Sequence, residues 1–263
     1  MSEPGNPFEG LPMFGDLARM FSRQGPVNWD VARQTASWLA TDGQPEPNVD
    51  PLERIRLEEL VRVADLHVSA VTGLSTSIAG GILSILPVSR GDWALHSLEA
   101  YRPFLERLAT SLSTAGDDDE DDPADVAAKL MGDLGKMLGP VLLGMQSGFM
   151  LGHLSRRALG QYDLPLPRRP ADQLLIVPAN LDAFAEEWSL AGDDLRLWIC
   201  LQEVTLHAVL GRPHVRARLA DLINEYVSRF EVDPEALERS LGDIQPTDAP
   251  GLQQGLGNPE ALL

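Results

Sequence analysis

The chain has 263 residues, 44% of them hydrophobic and 23% charged, and a formal net charge of −18. That mix suits a soluble globular chain with a sizeable core and argues against global disorder. A field so negative repels phosphate backbones and anionic lipid surfaces, so the reading is no nucleic acid and no membrane surface as partner.

Residues 1–27 are punctuated by Gly and Pro and read as an irregular N-terminal segment, with one short amphipathic stretch around Met13–Phe21. No basic stretch followed by an apolar core marks a signal peptide. Asn28 is placed to cap a helix through Trp29, Trp38 and Leu39, closed by Asp42-Gly43 and a Pro-rich link. Asp50-Pro51-Leu52-Glu53 is a strong helix start. Leu52, Ile55, Leu60, Val63, Leu66 and Val71 then recur near helical spacing up to Gly73.

Ile82–Val88 is short, partly β-branched and bounded by glycines, which predicts a strand. Asp92 is expected to cap the next helix, with Trp93, Leu95, Leu98, Tyr101, Leu105 and Leu108 as its buried side. The acidic run within 116–122 is too densely charged to pack and reads as a solvated loop. Asp122-Pro123 opens a helical tract to about Leu159, which Pro140 should kink or split. Glycines at 144, 148 and 152 share one face of it and predict close helix packing.

Leu174–Pro178 predicts a second strand, and helices follow over 181–188, 193–210, 214–230 and 234–241. Residues 242–263 read as a weakly ordered tail, leaving 28–241 as the folded domain. The fold class is mostly α, formally α+β, with a few short strands. Two apolar tracts, 68–88 and 132–154, are too interrupted to be membrane spans. The single cysteine, Cys200, allows no intramolecular disulfide, and the expected location is cytoplasmic.

The chemistry-bearing segment is Leu195–Leu210. A zincin helix carries His-Glu-x-x-His: two histidines four apart hold zinc, and the Glu activates the metal-bound water. Here the register around Glu203 reads Gln202-Glu203-Val204-Thr205-Leu206, with the base present and Gln and Leu in the ligand positions. Glu203 and His207 are also four apart, on a face rotated about 100° from that of Gln202 and Leu206. His214 follows Gly211-Arg212-Pro213 near a helix start.

The chain resembles the actinobacterial zincin-like metallopeptidases, also labelled hydrolases or deazaflavin-cofactor-biosynthesis-associated proteins. The resemblance rests on Val88–Trp93, Leu159–Pro167, Val177–Asn180, Asp182–Phe184, Trp198–Leu210 and Arg212–Leu219. It implies a zincin-like helical domain over 28–241. Family members read His-Glu-(Leu or Val)-Thr-His-His across this helix. The resemblance therefore makes Gln202 and Leu206 former zinc-ligand positions, Glu203 a vestigial general base, and His207 the counterpart of the last histidine. Related chains continue into further helices, where the rest of a zinc site is expected, so the sequence also reads as the front portion of a longer protein.

The leading reading is a non-catalytic binding or regulatory domain with an unidentified protein or peptide partner, no metal and no cofactor. The alternative is a zinc-dependent metallopeptidase or hydrolase with an unusual ligand set or one completed by another chain, in which His207 and His214 are the remaining candidate ligands.

Overall fold

The computed structural model describes residues 25–114 and 126–228. The N-terminal segment to residue 24, the acidic run, the helix expected over 234–241 and the tail from 242 lie outside the described residues. Within them the elements run α1 (Trp29–Thr41), α2 (Pro51–Thr72), β1 (Ser84–Pro87), α3 (Arg90–Thr114) and α4 (Val126–Ser155). After these come β2 (Gln173–Ile176), α5 (Pro178–Glu187), α6 (Gly192–Leu210) and α7 (Pro213–Ser228). The protein is mostly helical around a small two-stranded sheet, as the sequence predicts.

Local chemistry explains most boundaries. Asn28 accepts from the Val31 amide and Asp50 from the Leu52 amide, each satisfying an orphan donor at a helix start. Gly73 closes α2 in the left-handed conformation at φ 66°. The start of α3 differs from expectation. Ser89 is the capping residue, its Oγ accepting from the Asp92 amide, while Glu46 reaches from a distant loop to accept from Arg90 and Gly91. Asp92 lies within the first turn instead, where a carboxylate favours the helix dipole.

β1 and β2 are parallel, with Ser84 opposite Gln173 and Pro87 opposite Ile176. Alternate residues face opposite layers, as the strand period dictates. Leu174 and Ile176 join a cluster with Leu57, Val61, Ile199 and Val204 from α2 and α6. Leu175 and Val177 join a second cluster with Ala36, Trp93, Leu98 and Leu151 from α1, α3 and α4. The sheet is thus the middle of three layers.

Pro140 does not split the long helix: α4 is continuous, and the Pro140 carbonyl instead accepts from the Asn28 amide at 2.7 Å. The glycine stripe explains why α1 lies so close. A Cβ at Gly148 would stand 2.5 Å from the Ala32 carbonyl oxygen, and one at Gly152 2.8 Å from that of Ala36. Among the described residues no helix is long and apolar enough to cross a membrane.

α2 buries a different face from the one its large residues mark. Leu57, Val61, Ala64 and Val68 point inward, whereas Leu52, Ile55, Leu66 and Val71 are more than half exposed. The buried face is the one that packs against Ile199 and Val204 of α6. Arg196 of α6, itself buried, locks the arrangement by reaching Glu53 of α2 at 2.6 Å and Asp182 of α5 at 2.5 Å.

Candidate functional site

Gly160-Gln161-Tyr162-Asp163 forms a tight loop after α4. Asp163 pins it locally, its carboxylate accepting from the Leu159 and Gly160 amides. The Gly160 carbonyl accepts from the Trp93 indole at 2.8 Å, and Gly160 bridges to Ile176 of β2. The loop therefore sits between α3, the sheet and α6.

Glu203 comes up beneath it from α6. Its side chain is fully buried, and its carboxylate accepts from the Gln161 amide at 2.8 Å and the Tyr162 amide at 3.0 Å. A Cβ at position 160 would stand 2.5 Å from Glu203 Oε1, so only glycine permits the approach. Burial pushes the Glu203 carboxyl up to about 8; Asp163 adds to the shift, and the two amides and Arg168 oppose it.

One turn on, His207 is buried and its Nδ1 lies 2.8 Å from the Tyr162 hydroxyl. Tyr162 thus joins the two residues of this helix face, Glu203 through its amide and His207 through its phenol. Burial lowers the His207 pKa to about 4, with Asp172 opposing, so the ring is neutral at physiological pH. Burial likewise raises the Tyr162 phenol to about 12. Among the described residues the His207 Nε2 has no hydrogen-bond partner.

Gln202 and Leu206 occupy the adjacent face, both half-buried, and Leu206 packs against the apolar cluster of α2 and α6. His214 is exposed at the start of α7. The structure therefore brings Glu203 and His207 together and leaves His214 apart. Cys200 is buried, and burial raises its thiol to about 12, as suits a packing residue. His67, His96 and His153 are exposed.

Sequence reasoning gave no role to the partners of Glu203 and His207. Gln161, Tyr162 and Asp163 were visible only as a recognisable motif, and nothing local says that their amides face Glu203, some 40 positions later. Arg168 was missed altogether. Its Nη2 donates to the Tyr101 hydroxyl at 2.9 Å, to Ser97 Oγ at 3.1 Å and to the Gln161 carbonyl at 3.3 Å, and its guanidinium stacks over Tyr101.

A zinc ion needs several lone-pair donors converging on one point. Glutamine is a weak ligand and leucine none. The Glu203 oxygens are engaged by backbone amides, and among the described residues no three His, Cys, Asp or Glu side chains cluster to hold a metal. The described residues around Glu203 do not fit a zinc site. A small cavity of about 20 Å³ lies beside His207 and Tyr162. A larger open groove of about 550 Å³ runs along α1 past Arg33, Trp38 and Leu95, on another layer and away from Glu203 and His207.

The profile of the zincin-like metallopeptidases matches residues 27–262. The chain belongs to that family. Its fold is also similar to that of a solved structure from Chloroflexus aurantiacus described as a "putative hydrolase with a novel fold". The two share 20% identity with a TM-score of 0.54, over 88% of this chain and 70% of the other. No curated protein matches the chain.

Proposed function

We propose that this zincin-like metallopeptidase-family chain is a non-catalytic binding or regulatory domain. The observation that carries this reading is the environment of Glu203. A zincin base must face the metal-bound water. Glu203 instead accepts hydrogen bonds from the Gln161 and Tyr162 amides and is closed off from solvent. It acts as a structural anchor for the loop. Gln202 and Leu206 in the former ligand positions point the same way, since together they offer zinc one weak ligand.

The test is metal analysis of protein purified without chelators, together with peptidase assays on casein and mixed peptide libraries. The expected outcome is substoichiometric zinc and no chelator-sensitive turnover. Tight stoichiometric zinc, or an activity removed both by chelator and by Glu203→Gln, would overturn the reading in favour of a metallopeptidase with an unusual ligand set.

A further inference from the structure

Two buried side-chain polar atoms have no hydrogen-bond partner among the described residues: Arg168 Nε and His207 Nε2. Both residues line the same small cavity between the 160–171 segment and the α6–α7 junction. Buried polar groups are normally satisfied, so two orphans at one cavity point to something that fills it.

Their chemistry says what. Arg168 Nε carries a proton and can only donate. A phenol is a stronger donor than a neutral imidazole N–H, and an imidazole nitrogen a stronger acceptor than a phenol oxygen, so the Tyr162 hydroxyl donates to His207 Nδ1 and the ring proton then resides on Nε2. Both orphans are donors, and the missing group is an acceptor. A metal ion is the wrong partner for them.

Charge sharpens the choice. Arg169 and Arg216 line the same cavity, and with Arg168 they make three guanidiniums that form no ion pair among the described residues. In a chain of net charge −18 that is an unusual concentration. The nearby carboxylates are occupied by amides: Glu203 by Gln161 and Tyr162, Asp163 by Leu159 and Gly160, and Asp172 by Ile78, Ala79 and Gly81. None forms an ion pair with the arginines among the described residues, and Arg168 acts on Glu203 only at longer range.

We propose that this cavity is a binding site for a carboxylate, such as the free C-terminus of a peptide. One oxygen enters to take the Arg168 and His207 donors, and the other stays at the mouth with Arg169 and Arg216. A volume of about 20 Å³ has room for about one oxygen atom, so the rest of the anion stays at the mouth. The assignment deepens the binding-domain reading and rests on it only in expecting no turnover.

The experiment measures calorimetric binding and thermal stabilisation of the full chain, at matched ionic strength, with N-acetyl-trialanine, its C-terminal amide and inorganic phosphate. The free acid is expected to bind and raise Tm, and the amide is not. Arg169→Gln with Arg216→Gln removes two charges from the mouth without touching the Arg168 contacts. It should weaken the acid about tenfold or more, the value of a charge-assisted hydrogen bond. Arg168→Gln should abolish binding; should it fail to fold, the double variant still decides. Equal binding of acid and amide, no binding of either at tens of millimolar, preference for phosphate, or an unaffected double variant would each overturn the assignment. Chelator-sensitive cleavage of the bound peptide would instead sink the non-catalytic reading and leave the carboxylate site standing.

Discussion

Glu203 has two buried backbone donors and no solvent to share with them. Removing its carboxylate strands the amides of Gln161 and Tyr162 at a cost of about 1–3 kcal/mol each. Glu203→Ala should therefore destabilise the protein by roughly 3–5 kcal/mol in urea denaturation, cavity included. Glu203→Gln keeps the shape and one acceptor and should lose markedly less. An alanine variant within about 1 kcal/mol of the parent would mean that the loop does not depend on this anchor. The same residue predicts a pH dependence. The unfolded chain releases this proton near 4.5 and the folded protein near 8. Between those values the folded state holds the extra proton, so stability falls as pH rises, by up to about 1.4 kcal/mol per unit. His207 has the opposite sign: its pKa drops from 6.5 to about 4, so the unfolded state binds the extra proton between those values and stability rises with pH. The two oppose each other up to pH 6.5, and Glu203 acts alone above it. Stability should decline by about 2 kcal/mol from pH 6.5 to 8, and Glu203→Gln should be flat there. A parent with no decline would show that Glu203 is ionised in the folded state.

At the scale of the element, α6 presents two faces with different surroundings. One carries Glu203 and His207 against Tyr162, and the other carries Gln202 and Leu206 towards α2 and the partly solvated side. Gln202→His with Leu206→His should restore a pair of imidazoles at the spacing of a zinc-binding helix. Waters can complete such a site, though with weaker affinity than a full ligand set gives. Leu206 packs on an apolar cluster, so the double variant should lose about 1–3 kcal/mol without metal. Zinc should return part of that loss, because a ligand that binds only the folded state raises apparent stability. Melting curves with and without zinc decide it: a zinc-induced rise confined to the variant is expected, and none in a folded variant would remove the metal-site ancestry of these positions. How much of this element was legible is itself instructive. The helix, its limits to within a residue and the register of Glu203 all follow from the sequence. The role of Glu203 does not, because its partners are amides, and every residue but proline has one.

Across the whole molecule, the α1–α4 contact holds one outer layer to the sheet. Gly148→Leu would drive a side chain into the Ala32 carbonyl and should cost roughly 3 kcal/mol by overpacking. Gly139→Ala in the same helix meets nothing within 4 Å and should be neutral or slightly stabilising. Equal Tm values for the two would contradict the close packing of these helices. The sequence by itself determined the described helices, both strands, the glycine stripe and the family, because periodicity, caps and motif spacing are local quantities. It left the core face of α2 open, because the exposed Leu52, Ile55, Leu66 and Val71 are as apolar as the buried Leu57, Val61 and Val68. Only the tertiary structure decided which helix face meets the core, that Ser89 with Glu46 caps α3, and that Glu203 holds a loop. Those facts depend on groups brought together from distant positions, and the polar satisfaction of a buried carboxylate, like the lack of it at Arg168 and His207, exists only once the layers have closed.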